Sequence, residues 1–154
     1  MTFIELMQVY TGSDGDATKA LYERLKAFGP AGIVATNLFR ACKASERAKQ
    51  YRGGGYRGMA YDKKSWSIGN LSAALRDHAG PLGITWGWQK DPRTVNFEDV
   101  IYISLPTGQV SFHNNGRFDG PQYLGKWDEV RGQGPTRICQ WIKTVLEQEE
   151  VANG

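Results

Sequence analysis

Phe3, Leu6, Met7 and Tyr10 recur at the i, i+3, i+4, i+7 spacing of one helical face, so the chain opens with a short amphipathic helix that Gly12 stops. Ser13, Asp14 and Asp16 then supply capping oxygens and the negative charge that a helix N-terminus favours. They predict a second helix, whose apolar face runs through Leu21, Leu25 and Phe28 to a stop at Gly29-Pro30. A third helix is expected from about Ala31 to Gln50, apolar in its first half (Val34, Leu38 and Cys42 on one stripe) and basic in its second. Gly53-Gly54-Gly55 must end it, because three glycines lose too much backbone entropy to stay helical. A fourth helix is predicted from Lys63 to Ala79, with Asp62 as cap, Ile68, Leu71 and Leu75 as core stripe, and Gly80-Pro81 as the end.

The hydrophobic period then changes from 3.6 to 2. Ile84, Trp86 and Trp88 alternate along one side of a strand, with Trp86 and Trp88 expected to pack on the helices. Lys90-Asp91-Pro92 reads as a turn, and residues 100–105 form the clearest strand. Pro106-Thr107-Gly108 suits a hairpin, because Pro sets φ and Gly accepts positive φ. The return strand is Gln109 to His113. A closing helix is expected with Thr136 as cap and Ile138, Trp141, Ile142, Val145 and Leu146 buried, its acidic tail fraying after Glu147. The fold class is therefore α+β: N-terminal helices, a three-stranded antiparallel meander and a C-terminal helix. One domain is expected over 1–154, mainly helical over 1–80 and strands plus closing helix over 81–154.

Composition narrows the classes. At 40% hydrophobic and 12% aromatic residues, the chain is too rich in core formers to be disordered throughout. No apolar run reaches the roughly 18 residues of a membrane span, and the first residues lack a secretory signal's basic start and apolar stretch. Cys42 and Cys139 stand roughly a hundred residues apart and read as buried helical thiols, which favours a reducing cytoplasm over a disulfide framework. Two scattered Cys and two scattered His do not supply a zinc site, and no metal or cofactor is expected.

Charge changes the picture more. The whole chain carries a net +3, yet from Arg40 to Lys64 eight basic residues face only Glu46 and Asp62. Arg40, Lys43 and Arg47 fall three and four apart and share a helical face. Tyr51, Arg52, Tyr56 and Arg57 interleave with glycines in what reads as a mobile loop, and Lys63 and Lys64 follow. Guanidinium groups hold phosphates, tyrosines stack on bases, and glycines allow close backbone approach. The expected partner is nucleic acid or an acidic protein surface, with no membrane involved; the pattern leaves the number of copies open. Five tryptophans also make an exposed aromatic platform an alternative to core packing.

A second reading is enzymatic. His113 ends a strand at the mouth of the long Gly-rich stretch 113–135, near Arg117, Lys126 and Asp128 in sequence. A histidine titrating near neutrality can serve as general acid or base, and Arg or Lys can steady a phosphate-like anion. This would suit a small metal-independent nuclease or hydrolase. Such chemistry commonly needs a second acid or base, and His78 has no visible tie to the stretch, so a binding protein is the leading reading. The carboxylates show no metal-site spacing, and no nucleophile elbow or phosphate-cradling Gly-rich loop is present.

The stretch Leu105-Pro106-Thr107-Gly108-Gln109-Val110-Ser111-Phe112-His113, with Gly120-Pro121-Gln122-Tyr123 and Lys126-Trp127-Asp128 after it, resembles a group of small bacteriophage and prophage proteins of unassigned activity. Residues 35–45 are similar to the same group. The resemblance covers most of the chain. It implies a mobile-element origin, a bacterial cytoplasm and, by association, an accessory protein that binds host machinery such as a nucleic-acid-targeting defence complex. It assigns no residue a role.

Overall fold

The computed structural model describes residues 1–12, 14–50, 68–90, 99–114 and 133–153. Helix α1 spans Phe3–Thr11 and opens with a capping box: the Glu5 amide donates to Thr2 Oγ1 at 3.1 Å, and the Thr2 amide donates to Glu5 Oε2 at 2.8 Å. Helix α2 spans Gly15–Leu25, capped by Asp14, whose carboxylate accepts from the Asp16 and Ala17 amides at 3.0 and 3.1 Å. The second helix stops short of the expected Phe28, because Lys26–Phe28 tighten into a 3-10 turn. Gly29 follows at φ 59 and reverses the chain.

Helix α3, Pro30–Gln50, begins with its proline at the first helical position, where a missing N–H costs nothing. One turn in, Gly32 crosses the end of α2 so closely that a Cβ there would lie 1.8 Å from the Leu25 carbonyl oxygen. That contact lets α3 run through the middle of the helices, touching α1, α2, α4 (Ile68–His78) and α5 (Gly134–Asn153). Its burial is correspondingly broad: beyond the expected Val34, Leu38 and Cys42, it also buries Ala35, Phe39, Ala41 and Ala44. Helix α4 buries Leu71, Ala74 and Leu75. Its expected start at Lys63 and its Asp62 cap lie outside the described residues. After it, a 3-10 turn over Gly80–Leu82 and Gly83 at φ 70 deliver the chain to the sheet.

Strands β1 (Thr85–Lys90), β2 (Asp99–Leu105) and β3 (Gly108–Asn114) form an antiparallel sheet in the order β1-β2-β3. The turn expected at Lys90-Asp91-Pro92 falls largely outside the described residues. Trp86 pairs with Ile103, which pairs with Val110; Trp88 pairs with Ile101, which pairs with Phe112. Pairing partners share a face, so this face carries Ile101, Ile103, Leu105, Val110 and Phe112 into the core. Trp86 packs partly against that core. Trp88 departs from expectation: it remains 42% exposed, although Trp86 on the same strand packs partly against the core.

Helix α5 starts two residues ahead of the expected cap, so Thr136 lies within the first turn beside Pro135. It also continues past Glu147 to Asn153 instead of fraying there. Ile138, Cys139, Trp141, Ile142, Val145 and Leu146 bury its inner face. Arg137, near its start, clasps the β2–β3 hairpin: its Nη1 donates to the Gln109 carbonyl at 2.6 Å, and its own carbonyl accepts from Thr107 Oγ1 at 2.6 Å. Gly108, at φ 131, leaves the space that Arg137 Cδ fills, 2.7 Å from where a Cβ would stand. One continuous buried cluster takes residues from each of the five α-helices among the described residues and from β2 and β3, which is the α+β arrangement the periodicities predict.

Candidate polyanion-binding surface

The second half of α3 carries the first three residues of the basic segment, and the structure sends two of them in different directions. Arg40 is exposed, and its Cζ lies 4.9 Å from the centroid of the Tyr22 ring on α2. Tyr22 in turn meets the buried Phe39 edge-on, centroids 6.2 Å apart and planes at 80°. Burial raises the Tyr22 phenol above its ordinary range, and the Arg40 charge partly opposes that rise. No carboxylate among the described residues forms an ion pair with Arg40. A cation over a ring gains about 0.5–1 kcal/mol when exposed and holds a long side chain in one place.

Lys43 points elsewhere. Its Nζ donates to the Val9 carbonyl at 2.8 Å and the Gly12 carbonyl at 3.3 Å, so its ammonium satisfies the C-terminal end of α1. Lys43, grouped with Arg40 by its spacing, is thus engaged by α1 in the fold, whereas Arg40 is not. Three residues along a helix turn the side chain by about 60° from its predecessor's direction, and that difference carries Lys43 toward α1 while Arg40 leans on α2. Glu46, one of the two acids in the basic segment, accepts from the buried Tyr10 hydroxyl at 2.9 Å. Burial, reinforced by that carboxylate, holds the Tyr10 phenol far above its ordinary range.

Arg47 belongs to α3, which continues unbroken to Gln50. Tyr51, Arg52, Tyr56, Arg57, Lys63 and Lys64 lie outside the described residues. His113 takes the register position opposite Val100 in the sheet. Arg117, Lys126 and Asp128, its sequence neighbours in the enzymatic reading, lie outside the described residues. Neither cysteine is in a disulfide and both are buried, as the sequence leads one to expect, and burial pushes the Cys139 thiol up to about 12, far from a reactive thiolate. Among the described residues no group of three His, Cys, Asp or Glu could hold a metal ion, and no helix is long and apolar enough to cross a membrane.

Tyr22, Lys19 and Lys26 escape a reading that follows only the apolar stripe Leu21, Leu25, Phe28. Lys19 precedes Tyr22 by three residues and Lys26 follows it by four, so the three share the outer face of the α2 segment and its 3-10 extension. That spacing was available as a signal. Arg137 has no comparable signal, because only the hairpin's placement gives it work. Compared with protein-family models, with curated proteins and with solved structures, the chain matches none of them.

Proposed function

We propose that the chain is a binding protein that engages nucleic acid, alone or within a nucleic-acid-handling complex, through the basic half of α3 and the Arg/Gly/Tyr segment that follows. One observation carries the reading: Arg40 is held outward on the Tyr22 ring with no described carboxylate to neutralise it, on a helix that runs on through Arg47 to Gln50. The Glu46 carboxylate accepts from the Tyr10 hydroxyl, a bond that orients it toward α1 and leaves its charge in place. The surplus of positive charge from Arg40 to Lys64 thus begins on a rigid element. The bacterial cytoplasm and a mobile-element origin complete the proposal, on the strength of the sequence resemblance alone. The hydrolase alternative gains no support from geometry, since none of the sequence partners of His113 falls among the described residues.

The test is binding measured against salt, for the wild type and for Arg40, Arg47, Arg52 and Arg57 changed to Ala singly and together. Phosphate contacts release counterions, so log affinity should fall linearly with log salt, and each lost contact should reduce the slope by about 0.7–0.9. A slope that is the same in all variants would refute the proposed contacts.

A further inference from the structure

We infer that the Tyr22–Arg40 pair is a stacking platform for an unpaired base, and that the polyanion this surface takes is single-stranded nucleic acid. The inference rests on the reading above and names its substrate class. From the core outward, the order is Phe39, Tyr22, Arg40 and solvent: Phe39 is fully buried, Tyr22 is half-buried against its edge, and Arg40 is exposed. A guanidinium seated on a ring has already lost much of the rotamer freedom that stacking would otherwise cost it. An exposed guanidinium is a planar, weakly hydrated group of the kind on which splayed bases stack, and it carries more N–H donors than its contact with Tyr22 can use.

The flanks suit a nucleic-acid strand. Lys19 and Lys26 stand on either side of Tyr22, about 10 Å apart along the helix axis. Glu23 lies between them, bonded to Lys26 Nζ at 2.9 Å and held below its usual carboxylate range, first by Lys26 and then by Lys19. That pair is exposed, 71% and 58% at the two side chains, so a phosphate competes with it at small cost. Arg40, Lys19 and Lys26 stand against Glu23 and, one turn before Lys19, Asp16, so the patch keeps a net positive charge around its planar centre. A duplex keeps its base faces stacked inside and would gain only from the charges. An acidic protein could pair its carboxylates with the edge of the guanidinium but brings no run of bases to stack on its face. A single strand gains from both.

Anisotropy of a dye-labelled oligo(dT) strand of about 12 nucleotides, spanning one site of this type, and of the same strand annealed to its complement, tests this with the full chain. The strand alone should bind about tenfold tighter than the duplex. Arg40→Lys, which keeps the charge and removes the plane, should weaken single-strand binding about fivefold and leave duplex binding unchanged. Arg40→Gln, planar and neutral, should retain more single-strand binding at high salt than Arg40→Lys. Lys19→Ala with Lys26→Ala should lower the salt slope. Thermal melts confirm the fold of each variant, and Arg40 is exposed enough for both its substitutions to be tolerated. Equal binding of strand and duplex, or wild-type behaviour of Arg40→Lys, overturns the stacking platform while leaving the nucleic-acid reading intact. Binding of neither nucleic acid at low salt overturns both.

Discussion

A methyl group at position 32 would stand 1.8 Å from the Leu25 carbonyl oxygen, and backbone cannot yield to that as a flexible side chain would. Gly32→Ala should therefore cost about 3 kcal/mol, read as a lower denaturant midpoint. Ser45 is the opposite case. Its buried Oγ has no hydrogen-bond partner among the described residues, so Ser45→Ala should leave stability unchanged or raise it by about 1 kcal/mol. The Tyr10 phenol and the Cys139 thiol are both held protonated by burial. Their folded values lie above the unfolded ones, so the stability they contribute is complete below the unfolded pKa, about 8.5 for Cys and about 10 for Tyr. It is lost as pH rises toward the folded values, about 12 for Cys139. Melting temperature should accordingly fall from about pH 9 upward, and Tyr10→Phe combined with Cys139→Ala should flatten that fall. At this scale the sequence reveals little. The need for glycine at position 32, the second role of Lys43 and the clasp of Arg137 are consequences of which elements cross where, and no local spacing announces them.

Elements are more legible, because a change of hydrophobic period reports which backbone geometry can bury a face. Phe3 to Tyr10, Leu71 to Leu75 and Ile138 to Leu146 declare helices, and the alternation from Ile84 through Phe112 declares strands. The errors fall at the ends. The second helix yields its last turn to a 3-10 turn, Thr136 lies inside the last helix, and that helix outlasts its acidic tail. Ends depend on local hydrogen bonds that compete within tenths of a kcal/mol, whereas stripes depend on burial worth several. Trp88 shows the limit of alternation: it shares the core-facing row but not its burial, since periodicity gives the face of a residue and not how far along the strand the helices cover that face. The hairpin clasp belongs here too. Thr107→Val removes a 2.6 Å bond to the Arg137 carbonyl and should cost about 1 kcal/mol in chemical denaturation, with the sheet retained in circular dichroism.

Across the whole molecule, the charge surplus of one segment meets a fold that sorts its members. One part of the positive charge goes inward: Lys43 closes the end of α1. Another goes outward: Arg40 rests on Tyr22 beside the α2 lysines. The candidate surface was thus half visible in the chain, as an excess of Lys and Arg between 40 and 64. Its α2 half has a readable spacing in Lys19, Tyr22 and Lys26, but that this face meets Arg40 emerges only when α2 and α3 are packed side by side. The same packing explains why counting charges along α3 overstates what it presents. The most direct test compares Arg40→Ala with Lys43→Ala in one salt titration of single-strand binding, alongside their denaturation midpoints. Arg40→Ala should lower the salt slope by about 0.7 and cost no more stability than the roughly 0.5–1 kcal/mol of its ring contact, while Lys43→Ala should lower stability by about 1 kcal/mol and leave the slope unchanged. Equal slopes in the wild type and Arg40→Ala, or a slope lost with Lys43 instead, would contradict the account.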